Sequence, residues 1–346
     1  MKLLQKIALA AVLPLAGSIA ADLSLNGAGA SFPAPVYRVW TYNFSRSTDG
    51  EIEVNYQSSG SGAGINQIKD KTIDFGGTDN PLTREELDAA GLCQFPMLTG
   101  GVVVITNIRG VKPNTLRLDQ QTLADIFLGK ITFWNDPRIA ALNPELKLPR
   151  LKISVVRRSD SSGTTFIFTN YLSKISPEWR EKVGAGAAVN WPVGIGGQKN
   201  PGVCNNVARI NGAIGYTEYT YAVEARLSMA ILKNRAGRFV APTAEAFAAS
   251  GANADWKNAP GFYMVLTDQP GEESWPITGL TYILVQRNQP DAAKAAALLR
   301  YFDWCYTAGA VSASKLNYVP LAENVVELVR AAWADQIRVD GRPVND

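Results

Sequence analysis

Along most of the chain, β-branched runs alternate with segments of helical period. EIEVNYQ (51–57) reads as a strand, GINQIKDKT (64–72) as a short helix and TIDFGGTD (72–79) as the next strand. Asn80-Pro81 then breaks the pattern. Thr83 and Glu86 stand at capping-box spacing ahead of a helix that should end near Gly91. GGVVVITNI (100–108) is almost entirely apolar, as a strand buried on both faces should be. LKISVVRR (151–158) is another strand, followed by an SDSSG turn and a helix over 164–174. Ser176-Pro177 opens a further helix with proline at its tolerated first position. Amphipathic helices are expected over 291–306 and 322–337; in the second, Val325, Val326, Val329, Ala332 and Trp333 share one face. Strands alternating with helices predict an α/β protein.

The first twenty residues follow a different pattern. Lys2 and Lys6 precede an apolar stretch broken by Pro14 and Gly17, and Ser18 and Ala20 stand at the −3 and −1 positions of a small-residue cleavage site. This is the layout of a secretory signal peptide over residues 1–20, so an exported, soluble protein is expected. Its removal takes two lysines and no acid, lowering the formal net charge from +3 to +1. A near-neutral chain without basic blocks offers no footprint for nucleic acid. The remaining length suits two domains, each with a core of its own.

The chain contains no histidine. That removes Ser-His-Asp and Cys-His catalysis and every imidazole metal ligand. Cys93, Cys204 and Cys305 lie more than a hundred residues apart with no metal or redox spacing, so they read first as small core residues. No metal or cofactor is expected.

Candidate chemistry gathers at three Gly/Ser/Thr-rich turns where helices begin: NGAGASFPAP (26–35), SSGSGAG (58–64) and SDSSGTT (159–165). None is a nucleotide-binding loop, because GKS and GKT are missing and GAGASF lacks the third glycine of the dinucleotide fingerprint. Together they offer backbone N–H groups, hydroxyls and helix N-termini, the means of holding a small oxyanion without a lysine cluster. Arg157 and Arg158 end a strand beside the third turn, where a guanidinium can bond two oxygens of a tetrahedral anion, and Asp160 is placed to hold Arg158. Asp79 follows the apolar FGGT and precedes Asn-Pro, a position that also suits an Asx turn.

At these segments the chain resembles a known family. GAGASFPAPVY, DFGGTDNPL, QFPMLTGGVVVITNI, VVRRSDSSGTTFIFTNYL, WPVGIGG, GAIGYTEYTYA and WPITGLTYILV are similar, in order, to the periplasmic phosphate-binding proteins of bacterial ABC-type phosphate importers. The resemblance implies a two-lobed periplasmic-binding-protein fold, two α/β domains joined by short hinge crossings. Lobe I would comprise 21–106 and 276–346, and lobe II 107–275. It also implies a cage around one phosphate. Ser31 and Phe32 would donate backbone N–H groups, with a hydroxyl from Ser31. Ser61 would contribute from the second turn, with Ser59 as its alternative. Asp79 would accept the phosphate proton. Arg158, Ser162, Gly163 and Thr164 would complete the set, with Asp160 paired to Arg158. The implied protein is a periplasmic monomer that serves permease subunits in the membrane and performs no catalysis. If Cys93 and Cys305 share a lobe, they are the pair to consider for a disulfide.

Asp79 would discriminate between anions. Phosphate near neutral pH keeps a proton to donate to a carboxylate, whereas sulfate and molybdate have none and would face it lone pair to lone pair. A receptor for those anions is therefore the weaker alternative. An exported phosphate-ester hydrolase is weaker still, without histidine or a metal-binding carboxylate cluster.

Overall fold

The alternation of strand and helix becomes one long mixed sheet with helices packed along it. The computed structural model describes residues 23–252 and 254–344, so the expected signal peptide over 1–20 lies outside the described residues. The sheet contains β1 (Leu23–Gly29), β2 (Ile52–Ser58), β3 (Phe75–Thr78), β4 (Leu92–Asn107), β5 (Ser154–Arg158), β6 (Ile195–Gly197), β7 (Ala213–Glu218) and β8 (Thr278–Gln286). Their spatial order is β2-β1-β3-β8-β4-β7-β5-β6. β1 pairs in parallel with β2 and β3, and β5 pairs in parallel with β6 and β7. β4 runs antiparallel to both of its neighbours, β8 and β7. Helices α1 (Ala34–Ser47), α2 (Ser61–Lys69) and α3 (Arg84–Ala90) follow β1, β2 and β3. Further along, α4 (Gly163–Ile175) follows β5, α5 (Lys199–Arg209) follows β6, and α6 (Ala292–Tyr306) and α7 (Glu323–Gln336) come after β8.

β4 joins the two halves of this sheet. Its first part, Leu92–Gly101, is laddered to β8, and its second part, Val102–Asn107, is laddered to β7. The chain's other crossing lies alongside: Val102 N donates to Ile277 O at 2.9 Å, and Trp275 Nε1 donates to Val102 O at 2.9 Å. The result is a two-lobed α/β molecule of the periplasmic-binding-protein type. The apolar run at 100–108 anticipated only the later part of β4. The earlier part is masked in the sequence by Gln94 and Pro96. Pro96 is accommodated at an irregularity where the β8 register shifts between Thr281 and Tyr282, the kind of site that tolerates proline.

Local chemistry explains the other boundaries. Thr83 Oγ1 accepts from Glu86 N at 3.3 Å, while Glu86 Oε2 accepts from Thr83 N at 2.8 Å, so the capping box of α3 is present. Gly91 stops that helix in the left-handed region at φ 65°. α2 begins at Ser61, earlier than its apolar pattern suggested, because its glycines belong to the helix. A Cβ on Gly64 would lie 2.6 Å from Gly29 Cα and 2.8 Å from Gly77 O, so glycine lets α2 lie directly on β1 and β3.

The core is aromatic on both sides of the crossing. Phe75 meets Phe302 edge-on at 5.3 Å, and Phe168 stacks on Tyr216 at 4.3 Å. The cysteines require a correction: Cys93 and Cys305 form no disulfide, and all three thiols are free and buried. Cys93 lies in the β4–β8 ladder, Cys305 packs beside Tyr301 in α6, and Cys204 Sγ contacts Thr217 Oγ1 at 3.5 Å. Burial pushes the Cys93 thiol up to about 12 and the Cys204 thiol up to about 11, so both stay protonated and inert. Among the described residues, no helix is long and apolar enough to cross a membrane, and no group of three or more His, Cys, Asp or Glu could hold a metal ion.

Candidate functional site

The segments that open α1, α2 and α4 meet at the end of β3, through Ala30 N to Gly77 O, Asp79 N to Ser61 Oγ and Gly163 N to Ser61 Oγ. The turn after β1 leads into α1 through Ser31, Phe32 and Pro33. Tyr221 donates to Ser31 O at 2.7 Å, Tyr318 to Phe32 O at 2.8 Å and Tyr56 to Ala30 O at 2.8 Å. With its carbonyls bound from behind, this turn is fixed in orientation. The second turn enters α2 at Gly60, whose φ of 101° suits glycine, and Ser61 is the first helical residue. The third turn leaves β5 at Arg158 and enters α4 through its cap, Ser162, whose Oγ accepts from Thr165 N at 3.1 Å.

Ser61 connects these pieces. Its Oγ accepts from Asp79 N at 3.4 Å and from Gly163 N at 3.0 Å, joining the end of β3 to the start of α4. Gly163 is packed so closely that a Cβ there would lie 2.5 Å from Asp79 Cβ and 2.7 Å from its Oδ2. Across the cluster, Arg158 Nε donates to Asp160 Oδ1 at 2.8 Å and Nη2 to Asp160 Oδ2 at 2.5 Å, the fork-to-fork pairing that fixes a guanidinium plane. Arg158 Nη1 donates to Asn200 Oδ1 at 3.3 Å, and Arg158 N donates to the Tyr216 hydroxyl at 3.2 Å.

Burial sets the electrostatics. Ser31, Ser61 and Asp79 are each 2% exposed, Arg158 is 3% exposed, and Ser162 and Thr164 are 1% exposed. Desolvation pushes the Asp79 carboxyl up to about 7. A hydrogen bond from Thr281 Oγ1 at 2.9 Å, the charge of Arg158 and the contact with Ser61 pull in the opposite direction. The site therefore combines a carboxyl that can take a proton at neutral pH with a fixed cation, hydroxyls and helix N-termini. These are the parts needed to hold a protonated tetrahedral anion away from water.

A family model, the PBP superfamily domain, matches residues 16–304. The phosphate-binding protein PstS of Xylella fastidiosa strain Temecula1 is 49% identical over 317 residues, covering 92% of this chain and 86% of that one. The chain belongs to the PstS family. Another PstS relative, from Pasteurella multocida, is 47% identical over 315 residues and covers 91% of each chain. Among solved structures, a human phosphate binding apolipoprotein superposes with a TM-score of 0.72 at 19% identity, covering 93% of this chain and 97% of that one, a likeness of fold.

The structure brings Ser31, Phe32, Ser61, Asp79, Arg158, Asp160, Ser162, Gly163 and Thr164 into this one cluster. Ser59 makes no side-chain bond to the cluster: its Oγ is buried without a partner among the described residues, while its N–H donates to Gly29 O at 2.9 Å. Reading the sequence alone missed Asn200, Thr281 and Tyr216. Thr281 and Tyr216 fall inside the recognisable segments WPITGLTYILV and GAIGYTEYTYA, but nothing local marks them. Asn200 precedes proline and glycine in GGQKNPG, a pattern that reads as a turn.

Proposed function

We propose that this protein is an exported periplasmic receptor that binds one inorganic phosphate between its lobes and delivers it to the permease subunits of an ABC phosphate importer. It is a transport receptor and not an enzyme. One observation carries the choice of ligand: a buried carboxyl, Asp79, lies against the N-terminus of α4 in a cluster that also holds Arg158, where its ionised form can accept only from an anion that keeps a proton.

In this reading Ser31 and Phe32 donate backbone N–H groups, and Ser31, Ser61, Ser162 and Thr164 donate hydroxyl protons. Ser162 N already donates to Ala187 O at 2.9 Å, which favours its hydroxyl as the ligand group. The bridging position of Ser61 favours it over Ser59. Gly163 N already donates to Ser61 Oγ, so Gly163 serves by holding that hydroxyl and by the close approach to Asp79 that its missing Cβ permits. Arg158, held by Asp160, supplies the cation, and Asp79 accepts the phosphate proton while rejecting anions that have none. The change of pairing along β4 supports a lobe boundary at Gly101–Val102, earlier than the 106/107 boundary expected from the sequence, with the return near Ile277. The protein works as a monomer after removal of its signal peptide.

Calorimetric titration of the purified protein with phosphate, arsenate, sulfate and molybdate tests this reading. One phosphate should bind per chain, arsenate should compete because it shares the proton and nearly the size, and sulfate and molybdate should not. Preference for sulfate or molybdate would replace phosphate with another oxyanion. Turnover of a phosphate ester would replace the receptor with a hydrolase.

A further inference from the structure

Asn200 is fully buried at the start of α5 and touches three of the proposed phosphate ligands. Its Oδ1 accepts from Arg158 Nη1 at 3.3 Å, and its Nδ2 donates to Ser31 Oγ at 3.2 Å and to Thr164 Oγ1 at 3.5 Å. The preceding residue, Lys199, takes φ 58°, and its N–H donates to Asp160 Oδ1 at 3.0 Å. The segment that presents Asn200 is therefore tied to the same carboxylate that holds Arg158.

The direction of these bonds matters more than their number. A hydroxyl has one proton and two lone pairs. When Ser31 Oγ and Thr164 Oγ1 accept from an amide, their protons remain free for another acceptor, and the acceptor in this site is the anion. The same amide holds the guanidinium from the side opposite Asp160 without adding charge. An isosteric carboxylate would reverse this arrangement. It would draw the hydroxyl protons toward itself and place a negative charge beside the anion.

Resting on the phosphate reading above, we propose that Asn200 is a positioning residue that aims the Ser31 and Thr164 hydroxyl protons and the Arg158 guanidinium at phosphate. The charged or titratable groups around it include Arg158, Asp160 and Lys199, the Tyr216 and Tyr221 hydroxyls on Arg158 N and Ser31 O, and Asp79 beyond Gly163. These groups and phosphate itself are common to the wild type and both variants, so the ratio of variant to wild-type affinity isolates residue 200.

The test is calorimetric titration with inorganic phosphate of wild type, Asn200→Ala and Asn200→Asp between about pH 5.5 and 8.5. N200A should bind about tenfold more weakly throughout, the equivalent of one lost net hydrogen bond. N200D should bind on the order of 100-fold more weakly at the alkaline end. Its deficit should shrink as acid protonates the new carboxyl and restores a donor. Wild-type affinity in both variants overturns the inference, as does an N200D deficit that is independent of pH. If N200D does not fold, a double-mutant cycle of N200A with Ser31→Ala decides: aimed hydroxyls require the losses to be less than additive, and full additivity overturns the proposal. Failure of the wild type to bind phosphate would overturn the functional reading itself, whereas unchanged variants of a phosphate-binding wild type overturn only this inference.

Discussion

In its ionised form the buried Asp79 carboxylate accepts a bond from an anion that still carries a proton and repels one that does not. Asp79→Asn should therefore raise sulfate affinity relative to phosphate, narrowing the preference by roughly 10–100-fold, the equivalent of about 1–3 kcal/mol. Competition calorimetry measures this directly, and an unchanged ratio would remove Asp79 from the selectivity mechanism. Glu218 is a second buried acid, pushed up to about 8 by burial. Its Oε1 accepts from Thr220 N and Oγ1, and its Oε2 has no partner among the described residues. Between its unfolded value of 4.5 and its folded value of about 8, the folded protein holds a proton that the unfolded chain lacks. Its contribution to stability is complete below that range and is lost as pH rises through about 8. Urea melts of the ligand-free protein should show a flatter fall in stability over this range for Glu218→Gln than for wild type. Asp79 and Arg158 were legible at this scale because a charged residue beside Gly/Ser-rich turns is conspicuous in a sequence. Asn200 and Glu218 were not, because their meaning depends on partners far away in the chain.

The elements that position the site depend on small residues at close approaches. Gly29 ends β1 at φ 141°, and a Cβ there would lie 2.0 Å from Gly77 O. Because both the backbone angle and the neighbouring carbonyl exclude a side chain, Gly29→Ala should leave little folded protein, measured as loss of the cooperative melt. The cap of α3 offers a contrast. Thr83→Ala removes an exposed capping box at a cost of about 1 kcal/mol. It should lower the urea midpoint without altering phosphate affinity. Capping boxes, proline starts and apolar runs are local signals, so α3, the helix after Ser176 and the later part of β4 could be read from the sequence. The start of α2 and the earlier part of β4 could not. Gly64 looks like a loop residue until β1 lies beneath it, Gly62 until Ser161 packs against it, and Pro96 looks like a break until the register shift beside it is known.

For the whole molecule, recognition by placed dipoles has two consequences. The chain carries a formal net charge of only +3 over 346 residues, so little long-range field is available for salt to screen. Raising sodium chloride from about 0.05 to 0.5 M should change phosphate affinity by less than roughly threefold, far less than for a ligand drawn in by a basic surface. Phosphate at about 1,000 times its dissociation constant should stabilise the fold by about 4 kcal/mol, visible as a higher melting temperature that sulfate does not reproduce.

The pairing of β4 also constrains how the two lobes can move. Its neighbouring crossing is bonded to it at Val102, so the lobes share a ladder at the place where they join. Sliding one lobe past the other would break several of those bonds together, whereas bending or twisting the ladder needs only small changes at each residue. A rotation about this ladder would therefore be softer than a shear and would keep the strands in one alignment. A membrane partner touching both lobes would sense a full or empty receptor as an angle between two rigid faces.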